Sequence, residues 1–69
     1  MDISPVTFVD RDTGDDALVL VRVIDDLVGL GLSLKRDGDM EVIFGAEELD
    51  RVIDALQTAR SAVRESQKR

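Results

Sequence analysis

The stretch from Ala17 to Ile24 runs Ala-Leu-Val-Leu-Val-Arg-Val-Ile, with seven of eight side chains apolar and four of those β-branched. β-Branched residues lose rotamer freedom in a helix and pack well on a pleated surface, so the run predicts a strand. A strand with one wet face alternates apolar and polar residues; this one does not, so it belongs in a sheet covered on both faces. The rest of the chain must supply that cover. At 69 residues it has material for one thin layer over a small sheet and little more.

The flanking segments fit the same sheet. Ile3 to Val9 predicts a strand with Val6 and Phe8 on one side and Thr7 and Val9 on the other. Pro5 has no N–H to give a ladder, which puts this strand at an edge or starts it there. Asp10 to Asp16 forms a turn, with Gly14 as its left-handed residue, and Asp25-Asp26 makes a tight one. Leu27 to Arg36 alternates, setting Val28, Leu30, Leu32 and Leu34 against Gly29, Gly31, Ser33 and Lys35. Asp37-Gly38 predicts a two-residue hairpin loop. From Ala46 the period changes from two to 3.6. Leu49, Val52, Ile53, Leu56, Ala59 and Val63 then form one helical stripe. Glu47, Glu48 and Asp50 near its start, and Arg60, Arg64, Lys68 and Arg69 near its end, complement the helix macrodipole. The expected architecture is one α+β domain over residues 1–69. It is a four-stranded antiparallel meander (strands about 3–9, 17–24, 27–36 and 39–44), then one long C-terminal amphipathic helix (about 46–66) packed on one sheet face.

Two-residue turns set the expected register. Val23 then faces Val28, Val21 faces Leu30 and Val19 faces Leu32, while in the next hairpin Leu34 faces Glu41 and Leu32 faces Ile43. One face gathers Val19, Val21, Val23, Val28, Leu30, Leu32, Leu34 and Ile43. The other gathers Leu18, Leu20, Ile24, Leu27, Met40, Val42 and Phe44 around Gly29, Gly31 and Ser33. One helix covers one face, and a large apolar patch left in water marks an interface. The expected interface residues are Leu18, Leu20, Gly29, Gly31, Ser33, Met40, Val42 and Phe44. A core this small rarely supplies more than about 3–5 kcal/mol without a disulfide or metal, so the expected state is a homodimer, or a tight hetero-complex, formed through the uncovered sheet face or by sheet continuation at an edge. The glycines are expected to admit the helix or the ring of Phe44.

The chemistry available is narrow. The chain has no His, Cys, Trp or Tyr, which excludes thiol catalysis, disulfides, imidazole bases and His-based zinc sites. Gly29-Leu30-Gly31 resembles part of a dinucleotide fingerprint, but Leu34 stands at the third glycine and no helix opens after it. Asp10, Asp12, Asp15 and Asp16 could attract a hard cation. The calcium-loop pattern fails there, with Gly14, Asp15 and Val21 at its fifth, sixth and twelfth positions. The serines have no His as base, Lys35 beside Ser33 looks exposed, and Asp25 and Asp26 point apart on their turn; a neighbouring acid is the expected partner of Arg22. No catalytic, metal or cofactor residue is expected, and no enzyme activity. Net charge is −6, unevenly spread: residues 1–50 carry thirteen acids and four bases, residues 51–69 two acids and five bases. Arg60, Arg64, Lys68 and Arg69 are the possible contacts for a polyanion, although the helix dipole accounts for them without a ligand. Arg22, Asp25 and Asp26 interrupt the most apolar stretch, which excludes a bilayer helix there. With no signal-peptide pattern and no cysteine, the expected location is the cytoplasm.

The order of four strands followed by a helix resembles the PC4-like transcriptional coactivator fold and its Whirly relatives. That resemblance implies a dimer binding single-stranded nucleic acid on curved sheet surfaces. The strands here offer only Arg22, Lys35 and Arg36 as bases and Phe8 and Phe44 as aromatics, and a net charge of −6 repels a phosphate backbone. The expectation is therefore a small acidic, non-catalytic protein–protein interaction module serving an accessory, regulatory or inhibitory role. Its partners are itself and another protein with a basic surface, with no membrane. A dimer that binds single-stranded nucleic acid through its basic helix end is the alternative.

Overall fold

A computed structural model describes residues 1–68 of the chain. Its elements are β1 (Asp2–Val9), β2 (Asp16–Ile24), β3 (Leu27–Leu34), β4 (Gly38–Phe44) and α1 (Ala46–Gln67). The strands form one antiparallel meander in the order β1-β2-β3-β4, and α1 follows, packed against β3. β1 is an edge strand, and its pairing with β2 slips between Ile3 and Val6, around Ser4 and Pro5. A residue without an N–H fits there because the ladder is already broken.

The β2–β3 hairpin has the expected register, with Val23 opposite Val28, Val21 opposite Leu30 and Val19 opposite Leu32. Its two-residue turn holds Asp25 at φ 55°, a left-handed conformation that Asp tolerates better than most residues.

The β3–β4 hairpin departs from expectation. Leu34 lies opposite Gly38 and Glu41 opposite Gly31, so β4 slides by three residues relative to a two-residue loop. β3 ends at Leu34 rather than at Arg36, and the loop is Lys35-Arg36-Asp37. Gly38 has φ +85° and is the left-handed residue that closes a three-residue turn. Because side chains alternate along a strand, this odd shift transfers every residue of β4 to the opposite face.

Gly45 is the N-cap of helix α1, and its carbonyl accepts the Leu49 N–H at 3.0 Å; no side chain caps the helix start. Only Leu49 and Val52 of the apolar stripe are half-buried. Beyond them the helix leaves the sheet, and at about 1.5 Å per residue its 22 residues reach about 33 Å. The molecule measures 43 × 30 × 17 Å with a radius of gyration of 13.9 Å, against about 11 Å for a compact chain of this length. Among the described residues Ala17 is the one apolar side chain that is buried, at 8% exposed. Among the described residues no helix is long and apolar enough to cross a membrane.

Candidate interaction surface

The observed register divides the sheet into two unlike faces. On the first lie Ile3, Val6 and Phe8 of β1, Ala17, Val19, Val21 and Val23 of β2, Val28, Leu30, Leu32 and Leu34 of β3, and Met40, Val42 and Phe44 of β4. No position on this face is charged or polar. Two rows cross its whole width: Val6–Val19–Leu32–Met40 and Ile3–Val21–Leu30–Val42. The outer members are open to water, Met40 at 66% and Val42 at 50%, and α1 does not cover them. A shallow hollow of about 390 Å³ lies over the end of this surface, between Phe8, Val19, Leu32 and Met40.

The second face is mixed. Arg22 donates from Nε to Glu41 Oε2 at 2.9 Å and from Nη2 to Oε1 at 2.6 Å, a bidentate pair that reaches across β3. The gap it crosses is Gly29, where a Cβ would lie 3.1 Å from Glu41 Oε2. This close approach accounts for the glycine; nothing comparable stands at Gly31. Glu41 also raises the Arg22 pKa above the ordinary arginine value, chiefly through this hydrogen bond. Ser33 donates its hydroxyl to Asp39 Oδ1. A hollow of about 590 Å³ lies between Leu18, Leu20, Arg22, Asp39 and Glu41.

The eight expected interface residues therefore do not share a surface. Leu18, Leu20, Gly29, Gly31 and Ser33 lie on the mixed face; Met40, Val42 and Phe44 lie on the apolar one, and Ile43 moves the other way. Phe44 stands opposite Val28 and so does not lie over the glycines, whose neighbour is Glu41. The acid that pairs with Arg22 is Glu41, two strands away. The polarity of β4 held the signal: Asp39 and Glu41 match Ser33 and Gly31, just as Met40 and Val42 match Leu32 and Leu30.

The acidic loop is held by its own hydrogen bonds. Asp10 Oδ2 accepts from the Thr13 N–H at 2.8 Å and the Thr13 hydroxyl at 2.7 Å, and the hydroxyl bond in particular holds the Asp10 carboxyl below the ordinary aspartate pKa. Asp15, largely buried, pairs with Arg36 Nε at 3.1 Å. Among the described residues no three acids converge as a metal site would require. Arg60, Arg64 and Lys68 are exposed along the last turns of α1, and Arg69 lies outside the described residues. The apolar stripe beside them is also uncovered: Leu56 is 64% and Val63 56% exposed. The chain matches no protein-family model, no curated protein and no solved structure.

Proposed function

We propose that this protein is a small, acidic, non-catalytic protein–protein interaction module that works as a homodimer in an accessory, regulatory or inhibitory role in the cytoplasm. One observation carries the reading: a single chain exposes far more surface than a finished fold. Its accessible area is 5825 Å², whereas a folded monomer of 7.6 kDa has about 4,300 Å². The surplus of about 1,500 Å² per copy would give a pair an interface of about 3,000 Å², within the range of obligate homodimers. The surplus is apolar where it matters, since an all-apolar sheet face and an apolar helix stripe both stand in water. A dimer built on these surfaces leaves the mixed face and the Asp-rich loops outward, where acidic residues would steer a basic partner protein.

The alternative of a dimer binding single-stranded nucleic acid draws on the resemblance in strand order and on Arg60, Arg64 and Lys68. Against it, the mixed face carries Asp2, Asp16, Asp39 and Glu41 around its lone arginine. Analytical ultracentrifugation tests the first reading, which expects twice the chain mass at micromolar concentration and fails if the particle stays at one chain mass. A fluorescence titration with single-stranded oligonucleotides at increasing salt tests the second. Micromolar or tighter binding that weakens steeply with salt would favour it.

A further inference from the structure

Three arrangements would put a second copy on this chain without using all the surface that needs cover. Pairing helix stripes leaves the apolar sheet face wet. Packing sheet on sheet leaves Leu56 and Val63 wet, and joining two β4 edges leaves both surfaces wet. We propose instead that each copy lays the outer part of its helix across the apolar sheet face of the other, reciprocally about a two-fold axis. This rests on the homodimer reading above and names which surface meets which.

The dimensions agree. From Ile53 to Val63 the stripe rises ten residue steps, about 15 Å of helix, and four strands at about 4.8 Å spacing span about 14 Å. The stripe thus extends across the sheet from β1 to β4, over rows whose outer members, Ile3, Val6, Met40 and Val42, stay wet in one copy. The first helical turns, through Leu49 and Val52, are already held by their own β3, so the uncovered portion is the part free to reach a neighbour.

Charge points the same way. Residues 51–69 carry a balance of +3 and residues 1–50 a balance of −9. The two ion pairs among the described residues, Arg22–Glu41 and Arg36–Asp15, involve no base of the helix. Arg60 flanks the stripe, sharing a shallow hollow with Ile53, Leu56 and Gln57. A helix crossing the neighbouring sheet would bring Arg60, Arg64 and Lys68 of the basic segment against the acidic half of the other copy.

The absence of cysteine makes the test clean. Full-length Leu32→Cys and Leu56→Cys chains, one of them ¹⁵N-labelled, are mixed, exchanged and oxidised, and the disulfide products are identified by mass. The expected dominant product joins position 32 of one chain to position 56 of the other. Isotope-filtered NOE spectra of the unsubstituted protein give a second readout, with expected cross-copy contacts from Leu56 methyls to Leu32 or Val42 methyls. Arg60→Glu with Arg64→Glu should weaken the dimer roughly tenfold at low salt, an effect that shrinks at 1 M salt, where the Debye length is about 3 Å. A dimeric mass with only 56–56 or only 32–32 products and matching NOEs overturns the reciprocal packing and leaves the homodimer reading intact. A particle of single-chain mass with no cross-copy NOE overturns both.

Discussion

Leu56→Ala separates association from folding more cleanly than any other change in this molecule. Leu56 is 64% exposed in one copy, so truncating it removes little from the chain's own packing, and alanine is the stronger helix former. The substitution deletes three carbons, worth about 2.4 kcal/mol when fully buried at about 0.8 kcal/mol each. Scaled by the fraction that a partner would newly cover, that is about 1.5 kcal/mol per copy, or about 3 kcal/mol for a symmetric pair. The dimer dissociation constant should rise by about 10²-fold. Sedimentation or dilution-dependent energy transfer reads that constant, and far-UV circular dichroism at high concentration checks that the helix persists. Asp54→Ala, on the opposite side of α1 from Leu56, serves as control and should change little. A Leu56→Ala constant equal to that of the unsubstituted protein would refute the reasoning, because a large exposed residue at the middle of the stripe would then lie outside any seam.

Further outcomes follow from the turns and the polar face. Asp25→Gly should raise stability by about 0.5–1 kcal/mol by relieving the left-handed backbone at φ 55°, read by urea denaturation at fixed protein concentration. Gly38→Ala should cost about 1–2 kcal/mol in the same assay, since φ is +85° there; no cost would mean that the turn is built otherwise. Gly29→Ala should keep the fold but displace the Glu41 carboxylate, which lies 3.1 Å from the added Cβ. NMR should then show faster exchange of the Arg22 Nε proton. Asp10 titrates below the ordinary aspartate value of about 3.9 when folded. Its contribution is therefore complete above that value and is lost as pH falls through the lower, folded one. Thr13→Val should bring the Asp10 titration back toward the ordinary value, followed by carboxyl NMR.

Much of the fold was legible because two signals do not compete. The β-branched run at Ala17–Ile24 and the 3.6-residue stripe from Leu49 to Val63 each fit one kind of element. Asp25-Asp26 left only one short turn between two long strands, so the β2–β3 register followed. Asp37-Gly38 was ambiguous: an Asp-Gly pair suits the middle of a two-residue loop and equally the close of a three-residue one. That difference decides which side of the sheet receives Met40, Val42 and Phe44, and hence where the apolar surface lies. Gly29 could not be understood either, since its reason is an ion pair between residues nineteen positions apart. The stripe on α1 marked one side of the helix as apolar, but periodicity does not say how much of that side the chain's own sheet covers, and only Leu49 and Val52 are half-buried.

The unequal edges of the meander bear on how far any assembly can grow. Strand addition without limit requires two competent margins, head meeting tail. Here the β1 margin is interrupted by Pro5 and by the slip between Ile3 and Val6, which blunts it against a newcomer. The β4 margin has no such break, yet two β4 margins that met would exhaust each other. Unequal margins of this kind oppose open-ended growth by strand addition, despite the breadth of the greasy sheet.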